Sequence, residues 1–567
     1  MALQGYLMTL LSLTTCTLFQ LATASCEPPS AFTPPDLSKG SLNTTLASIS
    51  SAVDQYFASD VFAGSSCAIQ ISSASQSLWS TYYTANSTNS TGTSKVNGST
   101  VFRVASNTKI FTAMAILQQH ARGKIDLDAP VSRYVASLPT KHNDKSQVEW
   151  DRISIRSLMS HFGGIQDNYA QEDLLIVGGA SFLGLPPVSS VIEEALPACE
   201  LNSTIICSTA GMLRELRTAS PVLPPHVEIS YSNVGYDLLG LVIEKVTGMA
   251  YVDYIHSAII GPLGLNATTF SAPNAGTGII PVGESQWDAD LGVGNPSGGI
   301  YSSSDDMSRF LRYVLNNYQT ISPTINWFAP AAFTAGSHSL LGIPWEIFRT
   351  TAILTETNRP VTFATKGGGL DGYYSYSIIV PDYDLVVSIL LAGELTALNP
   401  LLDTITVPLI QAAEELAQQA LKQEYTGTYV ATTTGLNSSI TLSQSASRSL
   451  HISQWTSNGT EMLAALDEFV AAQAGDGDSL YYQLIPTFET RHTANASLTG
   501  EVWRFYNVFD TPAETNVTSE VWNDYCITNM DPIGYAGKPL LELVFWRDER
   551  SVKELELSAF RVVLTKT

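Results

Sequence analysis

The 567-residue sequence points to an α/β (α+β) chain in two parts: helices mixed with hairpin strands over residues 25–420, then an all-β domain over residues 421–567. Three observations carry that expectation. Two long helix patterns start on polar triplets, hairpin patterns flank them, and beyond Glu424 the chain changes to short alternating segments.

The first helix pattern follows Ser106, with Ile110, Phe111, Met114, Leu117 and Ala121 on one side and Gly123 at its end, where glycine suits a cap. The second begins near Val234, sets Val234, Leu238, Val242 and Val246 four apart, and closes at Gly248. "LASISSAVDQYFAS" from Leu46 has the spacing of a surface helix. "SCAIQISS" and "SQSLWSTYYTA" alternate apolar and polar residues and read as a hairpin. From Lys366, "KGGGLDG" reads as a Gly-rich turn leading into strands "YSYSIIVP" and "LVVSILLA", then a helix through "ITVPLIQAAEELAQQALKQ". Residues 168–226, irregular and rich in Gly, Pro and Ser, read as an insertion walling one side of a cleft. "YTGTYVATT", "SITLSQS", "SLHISQW", "VWRFYNVF", "LELVFWRD" and "AFRVVLTK" make up the all-β part.

The 44% hydrophobic content supports a sizeable core. At the N-terminus an apolar run ends in Ala22-Thr23-Ala24, so residues 1–24 are read as a signal peptide and the protein as secreted. A membrane anchor fits less well, because Thr, Ser, Cys and Gln break the run and a Pro-rich stretch follows it. Ten N-x-Ser/Thr sequons suit a glycosylated chain: Asn43, Asn86, Asn89, Asn97, Asn202, Asn266, Asn437, Asn458, Asn495 and Asn516. Beyond Cys16 in the leader stand Cys26, Cys67, Cys199, Cys207 and Cys526, of which the closest pair, Cys199 and Cys207, is read as a disulfide. Neither a CxxC nor a Cys/His cluster is present, so structural zinc is not expected, nor any cofactor. With 52 acidic against 29 basic residues the formal charge is −23, which repels nucleic acid and anionic membranes.

The chemistry concentrates in three short motifs. A serine hydroxyl is a weak nucleophile until a neighbour takes its proton, and Lys109 lies one helical turn beyond Ser106. A helix start also favours negative charge on the attacking oxygen. Ser-x-x-Lys by itself is equally a helix start, since serine is a common cap. Tyr231-Ser232-Asn233 and Lys366-Gly367-Gly368 follow in the same chain order. Taken singly they read as a buried aromatic with a helix cap and as a surface turn.

Together the three motifs resemble the active-site signature of serine β-lactamases and penicillin-binding proteins, and specifically the class C β-lactamase and D-alanyl-D-alanine carboxypeptidase branch, where Tyr-x-Asn stands as the second motif. "FRVASNTKIFTAMAILQQHARGKIDLDAPV", "ISIRSLMSHFGGI", "ISYSNVGYDLLGLVIEKVTG", "IIGPLGLNATTF" and "PSGGIYSSSDDMSRFL" are similar to that family as well, over roughly residues 45–415. The resemblance implies a sandwich of an antiparallel sheet flanked by helices with a helical subdomain. The C-terminal part resembles the lipocalin-like barrel appended to some members. Carried over, Ser106 attacks an acyl carbonyl, Lys109 shuttles its proton, and Tyr231 serves as base, its pKa lowered by Lys109 and Lys366. Asn233 hydrogen-bonds the substrate, the N–H groups of Ser106 and Gly369 form the oxyanion hole, and Gly368 and Gly369 let substrate lie along the strand.

Two departures set this chain apart. Gly367 replaces the usual Thr or Ser after the third-motif lysine, and "HFGG" at His161 replaces "HTSG". Both weigh against classical β-lactam hydrolysis more than against acyl-serine chemistry. Gly367-x-Gly369-x-x-Gly372 leads into a strand, so it is not a phosphate cradle. No G-x-S-x-G elbow or H-E-x-x-H pair occurs. His161, His226 and His338 read as structural histidines. The expectation is a secreted serine hydrolase acting on a small-molecule or peptide acyl substrate. Acyl transfer to an alcohol or amine, and a catalytically silent binding protein, are the alternatives.

Overall fold

The computed structural model describes residues 32–37, 42–59, 62–140, 146–170, 174–177, 182–189, 196–197, 199, 205–283, 285–357, 359–394, 398–445, 448–474, 480–492, 497–509, 530 and 533–567. The leader, Cys26, Cys526 and the sequons at Asn202, Asn495 and Asn516 lie outside them. The chain divides into two compact units, one of Leu37–Thr350 with Thr362–Leu409, the other of Met1–Asp36, Thr351–Val361 and Ile410–Thr567.

The first unit is built on an eight-stranded sheet. Its strands are β1 (Ser66–Ser73), β2 (Ser77–Tyr83), β5 (Ala332–Phe333), β6 (Ser339–Leu341), β7 (Glu346–Thr350), β8 (Val361–Leu370), β9 (Tyr373–Val380) and β10 (Leu385–Ala392), while β3 (Val101–Arg103) and β4 (Tyr301–Ser303) pair separately. The order is β2-β1-β10-β9-β8-β7-β6-β5, and β1–β2, β1–β10, β9–β10 and β8–β9 are antiparallel. The hairpin expected at β1–β2 forms, but β1 does not alternate: all eight of its residues are buried. β10 covers one edge, and α4 (Ser304–Ile321) packs on β1 and β10 with Ser308 Oγ 2.7 Å from Ser72 Oγ, so the inward serine is satisfied.

Helix α1 spans Asn43–Phe57, α2 spans Thr108–Ala121 and α3 spans Asn233–Thr247. The apolar stripe of α2 understates its burial. Every residue from Thr108 to Leu117 is inside, because α4 stacks Phe310 on Phe111 at 3.7 Å while Thr112 donates to the Pro296 carbonyl from the other side. Ser232 caps α3, accepting from Gly235 N, and Gly248 ends it at φ +72° with its N–H on the Glu244 carbonyl. The asparagine of the second motif is therefore the first helical residue, not the cap.

One expectation is corrected here. The Lys366–Gly369 stretch is not a turn but part of β8, paired in register from Lys366–Ser377 to Gly369–Tyr374. The turn follows at Asp371-Gly372, where Gly372 takes φ +80°. α5 (Leu398–Tyr425) runs through Pro408, and the division between the units falls within it.

In the second unit, β11 (Gly427–Ala431), β12 (Ser439–Gln444), β13 (Leu450–Ser457), β15 (Leu480–His492), β16 (Thr499–Phe509), β19 (Glu542–Arg547), β20 (Val552–Leu557) and β21 (Val562–Lys566) pair with their sequence neighbours. β11 closes on β21 and β12 on β13, which makes an eight-stranded up-and-down barrel without open edges. β14 (Thr460–Glu461) adds to β13, and β17 (Gly534–Tyr535) with β18 (Lys538–Pro539) forms a small ribbon. Tyr429, Trp455, Trp503 and Phe545 fill the interior. A helix, α6 (Met462–Ala474), interrupts the β pattern. It was not expected, although "MLAALDEFVAAQA" is rich in strong helix formers. Arg359 and Glu414 form a buried ion pair in this unit.

Candidate active site

Ser106 lies in a short 3₁₀ turn, Ala105–Asn107, that feeds α2. The turn is held open by Ala105 at φ +46°, a left-handed conformation that costs a non-glycine residue energy and here needs outside support. That support comes from β9: Asn107 donates to Ser375 Oγ at 2.6 Å, and Ser375 Oγ donates to the Val104 carbonyl at 2.6 Å. Ser106 makes no capping bond to the helix, so its half-buried hydroxyl is free for other partners.

Lys109 is fully buried, and each donor of its ammonium has an acceptor: Ser106 Oγ at 3.0 Å, Asn233 Oδ1 at 2.6 Å and the Ser297 carbonyl at 2.8 Å. Burial lowers its pKa; Tyr231 opposes this, and the Lys366 charge adds to it. Lys366, also buried, donates to Glu346 Oε1 at 2.5 Å and to the Gly367 carbonyl at 2.7 Å. Burial disfavours its charge, but Tyr231 and Glu346 outweigh burial and raise its pKa. The two lysines are thus shifted in opposite directions, Lys109 towards easier and Lys366 towards harder loss of its proton.

The Tyr231 ring lies 5.1 Å from Lys109 Nζ and 5.3 Å from Lys366 Nζ. Burial opposes its ionisation, yet the charges of Lys109 and Lys366 and hydrogen bonding with Ser106 and Lys109 bring its pKa below the ordinary tyrosine value. The ring stacks on His161 at 4.2 Å, and His161 Nδ1 accepts from Ser232 N at 3.1 Å, so this histidine props Tyr231 from beneath. Burial, then Lys109 and Lys366, holds His161 neutral well below its usual pKa.

That neutrality has a measurable cost in acid. The unfolded chain takes up a proton on His161 near pH 6.5 and the folded chain does not, so stability falls as pH drops below that value. The loss due to this residue is expected to grow as pH falls from 7 towards 5, where the unfolded chain holds the extra proton. Urea unfolding of His161→Phe, which keeps the ring stack, should show a correspondingly shallower pH dependence than wild type; equal slopes would contradict it.

Asn233 does not present a free donor. Its Nδ2 donates to Asp167 Oδ1 at 3.0 Å and Asn168 Oδ1 at 2.8 Å while its Oδ1 takes the Lys109 proton donor, so a substrate oxygen can bind there only by displacing one of these bonds. Gly368 and Gly369 differ in what surrounds them. A Cβ on Gly368 would lie 2.5 Å from the Val104 carbonyl, 2.6 Å from Ser375 Oγ and 3.0 Å from Ser106 N, whereas one on Gly369 would meet nothing nearer than the Tyr374 ring at 3.8 Å. β8 therefore presses directly on the Ser106 turn at Gly368. Gly368→Ala is expected to destabilise by about 1–3 kcal/mol, as overpacking does, and Gly369→Ala by no more than about 0.5 kcal/mol. Denaturant unfolding of the two variants side by side checks this.

The structure thus brings Ser106, Lys109, Tyr231, Asn233, Lys366, Gly368 and Gly369 to one place. It adds groups that no motif marked. Glu346, on the neighbouring strand, grips Lys366; Ser297 and Asp167 hold Lys109 and Asn233. Asp237, one turn along α3 from Asn233, has its pKa pushed up to about 7 by burial, against the pull of Ser297 and Lys109. Its i+4 spacing from Asn233 was the available signal; Glu346 had none. Among the described residues no group of three or more His, Cys, Asp or Glu is placed to hold a metal ion.

A helix-flanked antiparallel sheet with a Ser-x-x-Lys turn, a Tyr-x-Asn helix start and a Lys-bearing strand at one place defines a hydrolase of the β-lactamase type. The chain belongs to the β-lactamase family: the family model "Beta-lactamase" matches residues 64–405, and that for a "Beta-lactamase-like-like, C-terminal domain" matches residues 417–567. A probable hydrolase of Cochliobolus lunatus is 38% identical over 96% of this chain and 91% of its own length, and a probable hydrolase of a Phoma strain is 39% identical over the same shares. Among solved structures, a β-lactamase/D-alanine carboxypeptidase from Yersinia pestis is 20% identical, with a TM-score of 0.47 over 65% of this chain and 99% of that one.

Proposed function

We propose that this hydrolase cleaves an ester or amide through an acyl-Ser106 intermediate and is secreted. The observation that carries the reading is the contact of Lys109 Nζ with Ser106 Oγ at 3.0 Å, with Tyr231 set between Lys109 and Lys366. As Ser106 Oγ attacks the carbonyl carbon, its proton passes to the Lys109–Tyr231 pair, and the carbonyl electrons move onto oxygen, facing the N–H groups of Ser106 and Gly369. Collapse of that oxyanion breaks the bond to the leaving group, which takes its proton from Tyr231. Water then attacks the acyl carbon with Tyr231 as base; as the second oxyanion collapses, the bond to Ser106 Oγ breaks, Tyr231 gives that oxygen its proton, and the acid and free Ser106 are released. Naming of the relatives as probable hydrolases supports water as acceptor.

Secretion and glycosylation are supported by the Cys199–Cys207 disulfide and by the exposure of Asn43, Asn86, Asn89, Asn97, Asn266, Asn437 and Asn458. No helix of the described residues is long and apolar enough to cross a membrane.

Purified protein assayed on p-nitrophenyl esters, D-amino-acid amides and a chromogenic cephalosporin tests the reading. Turnover of an ester or amide that Ser106→Ala lacks is the expected result; binding of such compounds with no turnover by either protein would favour a silent binding protein. Product made only when an alcohol or amine is added would favour acyl transfer.

A further inference from the structure

We propose that Glu346 is a specificity-determining residue: its carboxylate occupies the two donors beside the nucleophile that an anionic substrate would use, and so restricts the site to uncharged acyl substrates. This deepens the acyl-Ser106 reading and rests on it. Glu346 opens β7 and reaches across to β8 with both oxygens. Oε1 accepts from Lys366 Nζ at 2.5 Å and Oε2 from Gly367 N at 2.8 Å, a clamp on one ammonium and one backbone N–H.

The exposures of the pair set the direction of the effect. The Lys366 side chain is 1% exposed and that of Glu346 is 35% exposed, so an anion arriving from solvent meets the carboxylate before it reaches the cation. The bare backbone at position 367 is part of the arrangement, because a Cβ on Gly367 would stand 3.3 Å from Glu346 Oε2. The other lysine offers nothing in compensation, since all three donors of Lys109 are engaged within the protein. A carboxylate on the substrate would displace Glu346 or lie against it, and like-charge juxtaposition in a partly buried site is costly. An uncharged ester meets neither obstacle.

Two acetate esters, one with an added carboxylate on its leaving group, test this: phenyl acetate and 3-acetoxybenzoate, compared by kcat/KM on wild type and Glu346→Gln, so that the change in their ratio between the two proteins isolates the effect of the Glu346 charge. Wild type is expected to favour phenyl acetate, and Glu346→Gln to improve the 3-acetoxybenzoate to phenyl acetate ratio by at least about tenfold, with the gain shrinking in 1 M NaCl. A ratio unchanged by the substitution, both esters falling together, would mean that Glu346 only supports Lys366 and would overturn the proposal. Glu346→Ala serves if the glutamine variant does not fold. Failure of wild type to cleave either ester counts against aryl acetates as substrates, and the acyl-Ser106 reading is then decided by the ester and amide panel. Calorimetric titration with benzoate then still decides for Glu346: binding at least about tenfold tighter to the variant supports its role as an anion filter, and equal binding overturns it.

Discussion

Ser106→Ala is expected to reduce kcat for p-nitrophenyl ester cleavage by at least about ten-thousandfold while lowering the thermal midpoint by no more than about 5 °C. Loss of an acylated nucleophile is among the largest single effects known in hydrolases, because the remaining groups can only orient water and stabilise charge. The stability half of the expectation follows from the local structure. Ser106 makes no capping bond, α2 starts on Asn107 without side-chain help, and the strained Ala105 is braced through Asn107 and Ser375; the one bond lost is that from Lys109 Nζ to Ser106 Oγ, and the ammonium keeps Asn233 Oδ1 and the Ser297 carbonyl. Activity and folding therefore separate in this variant. A fall of less than about tenfold in kcat would remove Ser106 from the chemistry.

Lys109→Met is expected to cost about a thousandfold in kcat, with a change in pH dependence that the serine variant cannot show. Methionine fills the lysine stem's volume in the core, but Asn233 Oδ1 and the Ser297 carbonyl each lose a donor, at about 1–3 kcal/mol for each buried acceptor left unpaired. Relief from burying an ammonium offsets part of that. Tyr231 then keeps its burial and loses one of the two cations that lower its pKa, so its pKa rises. If residual activity requires ionised Tyr231, the acidic limb of the kcat/KM profile moves to higher pH. A limb that stays in place, or moves lower, would contradict the pairing of Lys109 with Tyr231.

Much of the site was legible because its chemistry is local in sequence. One helical turn joins Ser106 to Lys109, and Tyr231 and Asn233 flank the serine that starts α3, so each motif is visible by itself. What could not be read is the pairing across strands. Glu346 lies 20 residues before Lys366, and only the placement of β7 beside β8 brings the two side chains together. The Lys366–Gly369 stretch misled because glycine-rich segments usually turn. Here Gly368 is required for the opposite reason, since the strand passes so close to the Val104 carbonyl that no side chain fits. The same limit applies to burial: the alternation of β1 was a true period-2 pattern, but a strand inside the sheet with α4 on it buries serine and isoleucine alike. In the second unit, alternating segments identified the strands, and closure of β11 on β21 at the far end of that unit explains why they make a barrel.

The central claim is that Ser106 becomes covalently acylated, and intact-protein mass spectrometry after treatment with a fluorophosphonate tests it most directly. Wild type should gain the mass of one phosphonyl group, located by peptide mapping to the segment carrying Ser106, and Ser106→Ala should gain none. Equal labelling of the alanine variant, an adduct on another residue, or no adduct on folded wild type would contradict it.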